Sequence, residues 1–344
     1  MAKENKKVVL SLTIEPSLKQ KMEKLRDKTQ IPVSQLLSEA SEDILKKYQE
    51  EGVHVVVDKE EKGDRDIMGK DGKQHKCVSI VLANDKGGVA KTTTALAMSN
   101  ILAENKKKVL LVDLDQQRNA TDLIRLGDNH SNIYDYFIQY IDYINGDDDQ
   151  PEVQDFIVPS KYPNLDVICG SPKMLARVGI SITEASNKLD NVFTLMLEDL
   201  KQMNVYDYVI FDTHPGLEDI TLRCIDAVDY TISPVFSSRE AFEGAVKIVK
   251  YINMKKRRNT VSKFLGMLFT CIDVREGLSR QIPEIKEYAK NEYDIDNFFK
   301  TFIDRSAKVG ALSWTMEPIA ERPNTKTYKK YKAFVSEMEG MINE

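Results

Sequence analysis

Asn84-Asp85-Lys86-Gly87-Gly88-Val89-Ala90-Lys91-Thr92-Thr93-Thr94 is the stretch on which the fold turns. It follows the apolar run Val78-Ser79-Ile80-Val81-Leu82, which reads as a buried strand, and it precedes Ala95 to Ala103, whose apolar periodicity reads as a helix. A strand, a small-residue turn ending in Lys-Thr, and a helix make the setting of a phosphate-binding loop. Backbone N–H groups at a helix start face an anion, and glycines let them approach it closely. Here Gly87, Gly88, Val89, Ala90, Lys91, Thr92 and Thr93 would surround the phosphates. Lys91 would reach the outer ones, and the Thr92 hydroxyl would ligate Mg²⁺. The ligand expected is a nucleoside triphosphate.

The strict pattern G-x-x-x-x-G-K-[ST] fails twice, because Asp85 and Ala90 stand at its two glycine positions. The segment instead resembles the deviant Walker A loop K-G-G-x-x-K-[ST] of the ParA/MinD family. That resemblance implies ATP as the nucleotide. It also makes Lys86 the family's signature lysine, which crosses to the partner subunit's nucleotide in an ATP-sandwich dimer. Ala90 replaces a glycine common in the family. If that position needs φ > 0, its methyl group costs about 1–2 kcal/mol, enough to weaken nucleotide binding without abolishing it.

Lys108-Val109-Leu110-Leu111-Val112-Asp113-Leu114-Asp115 reads as a second buried strand ending in carboxylates, where open α/β sheets place their ligands. With Gln116 to Thr121 it resembles the family segment D-x-D-P-Q-x-N-[AS]-T, with Gln116 in place of proline. The match makes Asp115 the residue that orients the attacking water or senses the γ-phosphate, and Asp113 its support. Tyr206 to Leu217 forms a third strand and turn. There Asp212 resembles the Walker B aspartate that holds Mg²⁺, and His214 stands where the family usually has proline. His214 is open to two readings, a contact to the phosphate region or a tolerated loop residue.

Asn164 to Ser171, Tyr230 to Val235 and Phe264 to Phe269 read as further strands alternating with helical segments. The fold class expected is α/β, a mostly parallel sheet covered on both faces as in P-loop NTPases. Thr270-Cys271-Ile272-Asp273 resembles a family segment that encloses the base. It makes Thr270 and Asp273 nucleoside candidates, beside the plainer reading of a strand end turning into a loop.

The chain has 344 residues and a net charge of −5, with 42% hydrophobic residues, so two domains with an ample core are expected. No apolar run approaches the roughly 18 residues of a membrane span, and no secretory signal opens the chain. Four scattered cysteines without metal-ligand spacing read as reduced thiols of a cytoplasmic protein.

Charge is uneven. Residues 1–48 carry ten Lys/Arg against seven Asp/Glu, a surplus of three positive charges that leaves the rest at −8. Val8, Leu10, Leu12 and Ile14 alternate with Lys7, Val9, Ser11 and Thr13 as a one-faced strand, and two amphipathic helices follow. So small a unit cannot bury its own apolar faces. It resembles the ribbon-helix-helix fold, whose paired strands enter the DNA major groove. On that match Val9, Ser11 and Thr13 would read bases and Lys7 would meet a phosphate, although Val9 and Pro32 depart from the usual pattern. A small oligomerisation arm is the other reading. The expected layout is therefore a ribbon-helix-helix-like domain at 1–48, a charged linker at 49–76 and the ATPase at 77–344.

Arg275 and Lys308 resemble positions where ParA-type proteins carry DNA-contacting residues, while Lys255-Lys256-Arg257-Arg258 reads as a solvated turn. The resemblance implies a DNA-partition ATPase with ATP and Mg²⁺, a homodimer on non-specific DNA, a centromere-binding partner protein, and autoregulation through an operator. Such a protein would be cytoplasmic and nucleoid-associated. A MinD-like positioning ATPase and a repressor using ATP only as a ligand are the alternatives. Glu337 to Glu344 is acidic, unlike the basic amphipathic ending of membrane-docking relatives.

Overall fold

The computed structural model describes residues 76–126, 130–146, 149–172, 191–217, 219–236, 238–256, 262–275, 277–305 and 324–343. The expected N-terminal domain, nearly all of the expected linker, and Lys308 lie outside them. The strands are β1 (Val78–Leu82), β2 (Val109–Asp113), β3 (Val158–Pro159), β4 (Leu165–Ile168), β5 (Tyr208–Asp212), β6 (Tyr230–Val235) and β7 (Lys263–Phe269). They form one sheet in the order β3-β4-β2-β5-β1-β6-β7. Every pairing is parallel except that of β3 with β4. β3 has no counterpart in the sequence reading, because two residues ending in proline leave no periodic pattern.

The apolar runs are continuous because both sheet faces are buried. Val81, Val112 and Phe211 point into one core, while Ile80, Leu111 and Ile210 point into the other. The first core is closed by α3 (Ile133–Asn145), α4 (Val192–Met203), α5 (Asp219–Ala227) and α6 (Arg239–Lys256), with α7 (Ile282–Tyr293) at its margin. Edge-to-face rings join Phe137 of α3, Phe193 of α4 and Phe211 of β5, at centroid distances of 5.6 and 5.8 Å.

The second core lies under α1 (Lys91–Glu104), α2 (Asn119–Ile124) and α8 (Lys326–Asn343). α1 begins four residues before its first apolar signal, because its opening turn is the polar run Lys91-Thr92-Thr93-Thr94. Along α8, Tyr328, Tyr331, Val335, Met338 and Ile342 recur at helical spacing and are buried in the same core as Ala95, Met98 and Leu102 of α1. The apolar face of α8 is thus used inside the fold. Among the described residues, no helix is long and apolar enough to cross a membrane.

Candidate functional site

The order β2-β5-β1 brings the three motif loops together at one sheet edge. Asp212 is in register with Leu82 on one side and Asp113 on the other. Ligands of open α/β sheets bind outside such carboxyl ends.

Between β1 and α1 the chain passes through two left-handed positions, Gly88 at φ 75° and Ala90 at φ 65°. The condition set on Ala90 is met: it caps α1 in a conformation that disfavours a Cβ. Among the described residues no side chain caps this helix end, so its first N–H groups are left for a ligand. The Lys91 ammonium is buried and curls into the loop, donating to the carbonyls of Asn84 and Lys86 at 3.2 Å each. Burial lowers its pKa, and Asp212, Asp115 and Asp85 oppose that shift.

Asn84 anchors the loop from inside the fold. Its Nδ2 donates to Pro234 O at 2.8 Å and Ala241 O at 3.0 Å, while its Oδ1 accepts from the Lys86 N–H at 2.9 Å. Gly244 of α6 leaves room for it, since a Cβ there would lie 2.4 Å from Asn84 Oδ1. Thr270 is fully buried, and its hydroxyl donates to Val89 O at 2.9 Å, so it braces the loop. Asp273 accepts the Arg275 N–H at 2.9 Å in a local turn. Sequence reasoning gave no role to Asn84 or Gly244. The one available signal was a polar side chain directly after a buried strand.

The acids differ in their surroundings. Asp113 is fully buried and accepts from the Asp115 N–H at 3.1 Å, the Thr121 N–H at 2.9 Å and the Thr121 hydroxyl at 2.8 Å. Burial raises its pKa, and those three donors pull it back. Gly170 closes over it, because a Cβ there would fall 2.9 Å from Asp113 Cγ. Asp115 is buried at the cavity wall and accepts the Gln117 N–H at 2.9 Å. Asp212 is equally buried, yet neither of its oxygens has a hydrogen-bond partner among the described residues. Burial, then the nearby Asp113, pushes its pKa well up, while the Thr92 side chain and Lys91 ease it. An orphaned buried carboxylate beside a threonine hydroxyl fits a divalent cation, so Thr92 and Asp212 would hold Mg²⁺ together.

A cavity of about 500 Å³ opens beside this edge, lined by Gly88, Lys91, Thr92, Asp115, Asp304 and Tyr331 among others. Its volume suits a nucleotide. Tyr331 of α8 shares a 3.1 Å hydrogen bond with Thr94 of α1, which sets the C-terminal helix against the phosphate-loop helix.

Residues 77–264 match the family model described as an AAA domain, and residues 6–49 match that of a ribbon-helix-helix domain. Over 245 residues the chain is 32% identical to the sporulation initiation inhibitor protein Soj of Bacillus subtilis, spanning 70% of this chain and 89% of that one. The chain belongs to the ParA/MinD family. It carries the ribbon-helix-helix segment at its N-terminal end.

A further relative of this ParA/MinD-family chain is the chromosome partitioning protein ParA of Myxococcus xanthus, 29% identical and covering 70% of this chain and 80% of that one. Among solved structures, the ATP complex of a McdA point variant from Cyanothece is similar at a TM-score of 0.63 and 19% identity, covering 77% of this chain and 97% of that one. The Mg-ADP complex of MinD from Pyrococcus horikoshii has a TM-score of 0.58 at 20% identity, with coverage of 77% and 97%. These two likenesses establish the fold.

The sheet edge therefore unites Lys91, Thr92, Asp113, Asp115 and Asp212. Lys86 sits on the exposed side of the loop, and Arg275 is exposed beyond β7. Lys255 is half-buried and pairs with Asp226 at 2.8 Å, in keeping with a structural rather than DNA-contacting residue. Lys7, Val9, Ser11, Thr13 and Lys308 lie outside the described residues.

Proposed function

We propose that the chain is an ATP-dependent DNA-partition ATPase that cycles through an ATP-sandwich dimer. The observation that carries this reading is the orphaned Asp212 carboxylate beside Thr92, at the edge that also holds Lys91 and Asp115. Lys91 would leave the two loop carbonyls for the phosphates. A magnesium ion held by Thr92 and Asp212 would offset phosphate charge. Asp115, fixed by its backbone bonds, would orient water toward the γ-phosphate, and Lys86 would reach the partner subunit's nucleotide.

In the dimer, Arg275 and Lys308 would contact DNA phosphates without sequence preference. A centromere-binding partner would stimulate hydrolysis and reopen the dimer. The ribbon-helix-helix match supports specific binding by residues 1–48, with Lys7 on a phosphate and Val9, Ser11 and Thr13 on bases, and hence autoregulation at an operator. Footprinting of upstream DNA would test it, and a dimer that protects no site would reduce the segment to an oligomerisation module.

The test of the whole is ATP turnover with and without duplex DNA across a salt series. Replacing Arg275 and Lys308 by Ala should weaken binding to any duplex and flatten its salt dependence, with DNA-free turnover intact. An unchanged salt slope would put the DNA surface elsewhere. The strained Ala90 favours one competitor, a repressor that binds ATP and hydrolyses little. Turnover that DNA does not change would support it. Membrane docking through α8 finds no support, since its apolar face is already buried.

A further inference from the structure

We propose that Gln116 and His214 form a positioning pair that ties the loop after β2 to the loop after β5, holding Asp115 and Asp212 in fixed relation during turnover. The proposal rests on the ATPase reading above and extends it to two residues outside its machinery. The Gln116 amide and His214 Nε2 approach to 2.7 Å, with the ring nitrogen accepting when the amide nitrogen donates.

The surroundings make this bond a link between anchored segments. Gln116 lies between Asp115, whose N–H is held by Asp113, and Gln117, whose N–H is held by Asp115. Its backbone is pinned on both sides, and its side chain reaches across. His214 follows Thr213, whose hydroxyl donates to Leu82 O at 2.8 Å. It precedes Pro215, whose Cγ would lie 3.5 Å from a Cβ built on Gly87. One hydrogen bond therefore connects the loop carrying Asp115 to a segment wedged between β1 and the phosphate loop.

The strand ladder itself closes with the Leu114 N–H on Asp212 O at 2.8 Å, and the Gln116–His214 bond adds a link farther along the two loops. At both positions the family pattern has proline, which stiffens each loop separately but cannot bond one to the other. Here the two departures from that pattern meet each other, 98 residues apart in sequence. The same bond engages His214 through its Nε2.

The experiment measures kcat and KM for ATP in the full chain, for wild type, Gln116→Ala, His214→Ala, the double variant and His214→Gln. Each single alanine should lower kcat about three- to tenfold, leave KM within about twofold, and gain nothing further in the double. His214→Gln, whose amide reaches about as far as Nε2, should restore most of the rate. Losses that multiply in the double variant, or a Gln variant as slow as the Ala variant, would overturn the proposal. The same set melted without nucleotide separates the two readings. Non-additive shifts in Tm would support the pair even if no variant hydrolysed ATP, and additive shifts would overturn it even if all did.

Discussion

Asp113 and Asp212 face each other across adjacent strands, both fully buried, and the fold surrounds them in opposite ways. Asp113 takes three hydrogen bonds from Asp115 and Thr121, which turn the loop after β2 back onto its own strand end. The Asp212 carboxylate takes none from the described residues. A buried carboxylate without donors is costly, and one kept beside a threonine hydroxyl and a buried lysine is what the proposed Mg²⁺ and phosphate site calls for. On the proposed reading the first aspartate shapes the site, and the second would hold the cation.

That contrast breaks if the two acids respond alike to replacement. Asp212→Asn should cut Mg²⁺-dependent turnover by on the order of a hundred- to a thousandfold. It should hold or raise Tm without ligand, because an amide bears neither the burial cost of the carboxylate nor its repulsion with Asp113. Asp113→Ala should do the reverse to the fold, lowering stability by about 2 kcal/mol as its donors lose their acceptor. Denaturant melts of the two variants without nucleotide decide the matter, and equal destabilisation would erase the distinction.

A smaller effect sharpens the picture of the neighbouring loop. Ala90→Gly removes the Cβ penalty at φ 65°. It should tighten ATP binding by up to about 1 kcal/mol, with part of the gain in folding stability offset by the freer unfolded chain. Titration with a fluorescent ATP analogue would show it, and weaker binding by the glycine variant would mean that the strain is not felt at the site.

The strands leading to Lys91, Asp113 and Asp212 were legible because parallel strands buried on both faces are written as unbroken apolar runs. The loop before α1 was legible from its small residues and Lys-Thr ending, and the loops after β2 and β5 from their resemblance to the family's motifs. The supports were not. Asn84 reaches Ala241 across 157 residues and Thr94 meets Tyr331 across 237, and no local pattern encodes such a partner. Thr270 stands in a segment that resembles the family's base-enclosing one, and no local pattern told that its hydroxyl turns inward to Val89. Gln116 and His214 each departed from the expected motif alone, and only their contact gives the departures a common sense.

The central claim is that this edge binds ATP through Lys91 and hydrolyses it through Asp115. It is tested most directly by measuring ATP binding and turnover side by side for wild type, Lys91→Ala and Asp115→Ala. Lys91→Ala should fail to bind, while Asp115→Ala should bind, not turn over, and accumulate as the ATP-bound dimer. Hydrolysis by Asp115→Ala at the wild-type rate would contradict the account.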